Sequence, residues 1–467
     1  MEGNRTKIVC TVGPASASPA MLTKMIRSGM NVARLNFSHG THDDHRRLMR
    51  AVRVAAKNAG KTVGILQDLQ GPKIRVGTLP PDGVTLHHAE NIILTTSTVP
   101  YKSGGAIPVT YEKLHRDVRA GHRILFDDGT LEVIVTRVRG RNISAKVSVG
   151  GVLTSHKGMN LPDSHVDANP FTRKDRDDLL FGIENGVDWV VLSFVTCADD
   201  MQTARNVARI AARANGTSMP KMMAKVERRS AIDNFAEILA VSDGVMLGRG
   251  DLGVEIPPEE VPVIQKDVIE ACRRAGKPCL VATQMLNSMS DNPRATRAET
   301  SDVANAVFDH ADAVMLSAES ATGHYPAVTV QAMAAVIREA EKSHYDDIRS
   351  VSLVVPDVPT AFAESVSVLC ASKLVGAVAT LAAYGDAVGK INMYRLDVPI
   401  FVVCADEGIA RQMTVSAGVY PVVLDDAPAT LSSRLLQKLR REKLLLSRER
   451  LALVTMHGGA ATLSIIG

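Results

Sequence analysis

The sequence predicts an α/β protein: a (β/α)8 TIM barrel interrupted by an inserted all-β lid domain and followed by a C-terminal α/β domain. Three observations carry that prediction. Eight short runs rich in Val, Ile, Leu and Met alternate with longer stretches of helical periodicity, the pattern of parallel strands joined by crossover helices. The rhythm breaks between Pro72 and Asn169, where Gly and Pro punctuation separates short alternating runs. A polar, Pro-containing stretch from Ser343 to Pro359 then reads as a linker to the rest of the chain.

In order, the eight runs are Lys7 to Val12, Val32 to Phe37, Gly64 to Leu69, Trp189 to Phe194, Lys221 to Glu227, Gly244 to Gly248, Pro278 to Thr283 and Ala313 to Ser317. Eight strands close a barrel whose carboxyl ends share one mouth, and the mouth carries the chemistry. Polar residues fall at or just past those ends: Asn36 and Ser38, Asp68, Lys225 and Glu227, Asp251, Thr283, and Ser317. Thr296-Arg-Ala-Glu299 places hydroxyl and carboxylate three apart, a capping box that opens an amphipathic helix to about His310. The barrel therefore comprises residues 1–71 and 170–343, and the alternating runs Glu132 to Val138 and Ala145 to Val149 belong to a lid over 72–169. In the domain over 344–467, Ala361 to Leu374 reads as a helix, and Gly376 to Leu381, Pro399 to Cys404, Tyr420 to Leu424 and Leu451 to Met456 as strands. No fixed-period repeat or low-complexity tract is present.

Composition narrows the function classes. The 467 residues, 45% hydrophobic and 22% charged, suffice for roughly three domains. The 54 Lys and Arg against 50 Asp and Glu are too even for a nucleic-acid or membrane-surface partner on net charge, and 4% aromatics with one Trp argue against a base-stacking platform. The six cysteines lack Cys-x-x-Cys spacing and read as reduced and structural. The apolar run Ile8 to Val12 stops at Gly13-Pro14, short of a signal peptide, and no apolar run is long enough to span a bilayer, so a cytoplasmic location is expected.

Several clusters can carry chemistry. Lys225 and Glu227 lie two apart on a strand and share a face, about 6 to 7 Å apart along the chain; an interior ion pair is the plainer reading. Asp251 follows an apolar strand within Gly248-Arg-Gly-Asp251, where the amides of Gly250 and Asp251 can face an anion. With Glu227 it offers hard oxygen ligands suited to Mg²⁺ or Mn²⁺. Arg34, Asn36 and Ser38 alternate onto one face, and Arg34 suits either a phosphate or a structural carboxylate. His39, His42 and His45 read more simply as a solvated helix face than as a metal stripe. Lys73 and Arg75 lie where barrel meets insertion, able to bind substrate or pin a hinge. Thr283 and Ser317 are hydroxyls that more often cap helices.

Taken together these residues resemble the pyruvate kinase family. The resemblance rests on Thr6 to Pro14, Asn36-Phe-Ser-His-Gly40, Gly71-Pro-Lys-Ile-Arg75, Lys157 to Pro162, Asp188 to Phe194, Ala224-Lys-Val-Glu227, Arg249 to Glu255, Ala282 to Met285, Thr296 to Glu299 and Met315 to Glu319. It implies transfer of the phosphoryl group of phosphoenolpyruvate to ADP, giving pyruvate and ATP in glycolysis, by a homotetramer without nucleic-acid or membrane partners. It makes Glu227 and Asp251 ligands of Mg²⁺ or Mn²⁺, with Lys225 and Arg34 on the transferring phosphoryl group. Lys157 reaches in from the lid, Arg75 and His39 meet the nucleotide phosphates, and Thr283 with the Gly250 and Asp251 amides holds the substrate carboxylate. A water relay near Thr283 or Ser317 protonates the enolate.

Two departures refine this picture. Leu69, Gln70, Lys73 and Val76 resemble a subgroup in which a lysine ammonium replaces potassium, although the usual potassium positions Asn36, Ser38 and Asp68 remain, so no K⁺ requirement is expected. In Leu381 to Val388, alanines and Tyr384 stand where hydroxyl donors hold a sugar bisphosphate, Asp386 would repel one, and the tail from Met456 is short. Little or no activation by fructose 1,6-bisphosphate is expected. Two other readings remain: a metal-dependent carbon–carbon lyase, disfavoured by Lys225 and the lid, and a degenerate binding subunit, disfavoured because Arg34, Lys225, Glu227, Asp251 and Thr283 are all present.

Overall fold

The first three barrel strands are β1 (Lys7–Thr11), β2 (Met30–Asn36) and β3 (Gly64–Asp68). The lid supplies β4 (Val84–Leu86), β5 (Asn91–Thr95), β6 (Ile107–Pro108), β7 (Arg123–Phe126), β8 (Leu131–Arg139), β9 (Asn142–Val149), β10 (Gly151–Leu153) and β11 (Met159–Asn160). The barrel resumes with β12 (Trp189–Leu192), β13 (Lys221–Val226), β14 (Gly244–Gly248), β15 (Cys279–Ala282) and β16 (Ala313–Leu316). The structure, a computed structural model, describes residues 3–164, 166, 169–346, 357–384, 387–424, 431–457 and 460–467.

All eight barrel strands are parallel and close in the order β1-β16-β15-β14-β13-β12-β3-β2. Their apolar runs are buried on both faces, as parallel strands wrapped by helices must be. Val9, Val32, Leu66, Val191, Met223, Met246, Leu280 and Met315 fill the interior, which is therefore a packed core and not a channel. The capping box opens the helix Arg297–Phe308, with Thr296 Oγ1 accepting from the Glu299 amide at 3.2 Å.

At the amino ends of the strands a repeated device ties neighbours together. Asp188 Oδ2 accepts from the Ile65 amide at 2.7 Å, Asp243 Oδ2 from Met222 at 2.8 Å, Asp312 Oδ2 from Cys279 at 3.1 Å, and Asn31 Oδ1 from Ile8 at 2.9 Å. Two of these aspartates also dock the C-terminal domain. Arg411 reaches Asp188 Oδ1 at 2.8 Å, and Arg395 reaches Asp312 Oδ2 at 2.6 Å. Asn392 and the Ala417 amide complete Asp312, which is fully buried and fully satisfied.

The lid has its own core, including Leu94, Phe126, Val133 and Ile143, inside a six-stranded sheet of order β11-β7-β8-β9-β5-β6. It leaves the barrel at Gly71, whose φ is +67° and where a Cβ would come within 2.9 Å of the Phe194 ring. Only glycine fits that junction. Arg75 pairs with Gly158 across an isolated bridge, so the chain enters and leaves the lid side by side.

The C-terminal sheet consists of β17 (Ala377–Leu381), β18 (Ile400–Cys404), β19 (Val419–Val423), β20 (Leu451–His457) and β21 (Ala460–Ile466), in the order β19-β18-β17-β20-β21. Four strands meet the expectation; the antiparallel edge strand β21 was not anticipated. The linker also ends earlier than expected, because Asp357 Oδ1 accepts from the Thr360 amide at 2.9 Å and starts the helix Val358–Ala371 with Pro359 in its first turn. Residues 347–356 of the expected linker and Asp386 of the expected effector loop lie outside the described residues.

Candidate active site

The barrel delivers its polar strand ends to one mouth. Asp68, at the end of β3 and buried, lies at the centre. Arg34 from β2 meets Asp68 Oδ2 through Nε at 2.8 Å and through Nη2 at 2.6 Å, while its Nη1 donates to Thr11 Oγ1 at 2.8 Å. Ser193 Oγ donates to Asp68 Oδ1 at 3.2 Å, and Lys225 Nζ lies 3.6 Å from Oδ2. Burial opposes the charge on Asp68, but Lys225 and Arg34 outweigh it and hold the carboxyl below its usual range. The structural-carboxylate reading of Arg34 is thus realised in the Arg34–Asp68 pair.

Lys225 Nζ also lies 2.8 Å from Glu227 Oε1. Apart from this ion pair Oε1 has no hydrogen-bond partner among the described residues, whereas Oε2 accepts from the Phe194 amide at 3.1 Å. Burial pushes Glu227 up to about 8 against the opposing Lys225 charge, with Asp251 and Asp68 adding to the rise. Burial likewise opposes the Lys225 ammonium, but Asp68 and Glu227 prevail and keep it above its ordinary range. Gly248 makes room for this carboxylate: a Cβ there would stand 2.8 Å from Glu227 Cγ.

The residues fit a divalent ion. Glu227 presents a buried oxygen without an aligned donor, and Asp251 is near enough to raise its pKa. Mg²⁺ takes only one or two protein carboxylates and keeps its waters; among the described residues no three acidic, His or Cys side chains form a cage.

Thr283 follows β15 at φ +70°, with Gln284 at +57°. A β-branched residue there is strained by about 1 to 3 kcal/mol. Its Oγ1 donates to Ala282 O at 2.6 Å and accepts from the Gly250 amide at 2.7 Å, so any anion approaching that amide has to share or displace it. Ser317 precedes the short turn Ala318–Ala321, yet its buried Oγ makes no hydrogen bond among the described residues. Ser317 thus holds an N-cap position without a capping bond, whereas Thr283 Oγ1 serves a first-turn amide of the helix Arg249–Glu255.

On the rim, burial and then Lys73, Arg75 and Arg34 depress the His39 pKa, so three cations converge beside that ring. Lys73 is lowered to about 8 by burial, Arg75 and Lys225, against Asp251 and Asp68. Arg75 Nη1 donates to His156 O at 2.6 Å, and Lys157 pairs with Asp127 at 2.7 Å within the lid rather than joining the central cluster. Asn36 Oδ1 is taken by the Ser38 amide at 3.1 Å, Ser38 lying beyond the strand.

The histidine reading needs correction at His45. His45 is buried, stacked on Phe37 with ring centroids 3.8 Å apart, and its Nε2 meets His39 O at 2.9 Å. His42 pairs with Asp178 at 2.7 Å and stacks on Phe181. His45 thus leaves the solvated face to cover Phe37 just past β2, whereas His39 and His42 are exposed as expected. Sequence reasoning assigned no role to Ser193, Thr11, Arg249 or Asp302, and nothing local distinguishes them.

Comparison with known proteins agrees with this geometry. Residues 3–330 match the family described as pyruvate kinase, barrel domain, and residues 361–462 match pyruvate kinase, alpha/beta domain. A pyruvate kinase of Agrobacterium vitis is 44% identical over 418 residues, covering 89% of this chain and 86% of that protein. One of Staphylococcus haemolyticus is 43% identical over 427 residues, covering 90% and 72%. The crystal structure of a pyruvate kinase from Cryptosporidium parvum has a TM-score of 0.91 at 34% identity, covering 99% of this chain and 96% of that one. With two family domains in order and a mouth built of paired cations and carboxylates, the chain belongs to the pyruvate kinase family.

Proposed function

We propose the following division of labour for the family's reaction, phosphoryl transfer from phosphoenolpyruvate to ADP to give pyruvate and ATP. The observation that carries it is the mouth cluster in which Arg34 and Lys225 lie within 4 Å of Asp68, and Lys225 also of Glu227. Donor and acceptor are both anionic, and like charges 4 Å apart cost about 4 kcal/mol at an effective dielectric near 20. Catalysis therefore depends on cations fixed before the substrates arrive.

Lys225 neutralises the transferring phosphoryl oxygens, and Arg34 holds the same group while Asp68 keeps the guanidinium aimed. Glu227 and Asp251 would hold Mg²⁺ or Mn²⁺, which supplies further charge neutralisation when bound. Thr283 and the Gly250 and Asp251 amides receive the substrate carboxylate. Arg75 and His39 contact the nucleotide phosphates, joined by Lys157 once it leaves Asp127. The unbonded Ser317 hydroxyl, with Thr283, serves a water relay that delivers a proton to the enolate carbon. Lid movement about Gly71-Pro72 and Asn169-Pro170 excludes water from the phosphoryl group.

Lys73 takes the electrostatic place of a monovalent cation, supported by the attraction that Asp251 and Asp68 exert on its ammonium against burial, Arg75 and Lys225, so K⁺ is not required. The family reading extends to a homotetramer, with Val263, Val368 and Ile465 among the exposed apolar side chains available for contacts between copies. All six cysteines are free, and no helix among the described residues is long and apolar enough to cross a membrane; we assign a cytoplasmic location. The test is a lactate-dehydrogenase-coupled assay with phosphoenolpyruvate, ADP and Mg²⁺, with and without K⁺. Turnover absent under all these conditions overturns the assignment.

A further inference from the structure

Thr283 and Gln284 both occupy the left-handed region, with φ +70° and +57°. A β-branched residue stays there only when its surroundings hold it. Two bonds from one segment do so: the Gly250 amide donates to Thr283 Oγ1 at 2.7 Å, and Arg249 Nη2 donates to Thr283 O at 3.0 Å. Arg249 is aimed from elsewhere. Its Nη1 and Nη2 each lie 2.7 Å from an oxygen of Asp302, which stands 53 residues away on the helix Arg297–Phe308. Gln265 Oε1 accepts from Nη1 at 3.2 Å, and the Arg249 side chain is only 10% exposed.

We propose that Arg249, fixed by Asp302, is a positioning residue for the phosphoryl-transfer reaction. It braces the carbonyl of Thr283 and so holds the Thr283 hydroxyl and the Gly250 amide, bonded to each other, where the substrate carboxylate meets them. This inference rests on the role assigned to Thr283 above. The guanidinium is suited to the task because its rigid fork meets a carboxylate bidentately and still donates to a carbonyl, which an ammonium on a flexible stem does not reproduce. The helix that carries Asp302 starts at a capping box, so the far end of the brace is anchored.

The test is a double-mutant cycle in the full-length enzyme, assayed with phosphoenolpyruvate, ADP and Mg²⁺. Asp302→Asn and Arg249→Lys are each expected to lower kcat by about ten- to a hundredfold, the cost of misplacing a reacting group. The KM for ADP stays within about twofold, and the denaturation midpoint matches that of Glu260→Gln, which breaks the separate Arg229–Glu260 pair. In a Thr283→Ala background, Asp302→Asn lowers kcat by less than about twofold, because the brace has lost the hydroxyl it aims. An equal loss in both backgrounds overturns the proposal. So does a crippled Thr283→Ala beside undiminished Asp302→Asn and Arg249→Lys. An undiminished Thr283→Ala overturns the Thr283 assignment, and the brace falls with it. If Asp302→Asn lowers the denaturation midpoint, Arg249→Lys, which keeps the charge, carries the cycle.

Discussion

The two ends of the barrel bury the same kinds of group to opposite effect. At the amino ends, Asp188 and Asp312 are enclosed by arginines and backbone amides, and Asp312 receives five donors. At the carboxyl ends, Glu227 Oε1 and Ser317 Oγ are buried without an aligned partner, and Thr283 is held in a conformation that its side chain resists. A saturated polar group contributes to stability; an unsaturated one keeps capacity for a ligand. The difference separates residues that hold the fold from those we propose to meet substrate, although both belong to one barrel.

The sharpest way to break this contrast is at the base. Asp312→Ala strips Arg395 of a buried partner and is expected to cost about 3 to 5 kcal/mol, read as a lower urea midpoint, while the folded fraction turns over nearly normally. A kcat that falls as steeply as the stability would erase the distinction between the two ends. At the mouth, Lys225→Met should lower kcat by about a hundred- to a thousandfold, with much of the soluble folded protein retained in circular dichroism; near-normal ATP synthesis would remove Lys225 from the chemistry.

A smaller effect sharpens the rim. Lys73 has a pKa lowered to about 8, so its ammonium is largely present at pH 7 and lost as pH rises through that value. In K⁺-free buffer kcat/KM for phosphoenolpyruvate should therefore fall several-fold above about pH 8, with K⁺ restoring it there and doing little below. Uniform K⁺ dependence at every pH would show that Lys73 does not stand in for the ion. The smallest expectation concerns the C-terminal domain: fructose 1,6-bisphosphate should leave the half-saturating phosphoenolpyruvate concentration within about twofold, since the stretch at Leu381 lacks charge-assisted donors for phosphate. A clear fall on titration would restore an effector site.

Much of the barrel was legible because parallel strands buried on both faces need unbroken apolar runs, so Trp189 to Leu192 and Ala313 to Leu316 announce themselves. The site was legible where a polar residue ends such a run, as with Asp68 and Thr283. Partnerships across the chain were not: nothing near Arg249 names Asp302, and nothing near Asp188 names Arg411. His45 misled because its polar neighbours follow the helix period, while Phe37, on another element, required a ring to cover it. β21 escaped because its pairing comes from β20 through an antiparallel return, and the alternation of parallel units offers no template for one.

The doubly used aspartates bear on how such a chain can be divided. Asp188 binds β3 and Asp312 binds β15 by their first turns of backbone, while Asp68 and Thr283 stand at the far ends of those same strands. A barrel severed after residue 346 would lose Arg395 and Arg411, leave Asp312 without its counter-ion and Asp188 with Arg53 alone, and strip the Trp189 indole of its acceptor at Gln412. The C-terminal domain is thus a floor for the barrel as well as an appendage, and transplanting it between relatives requires carrying these arginines across the cut.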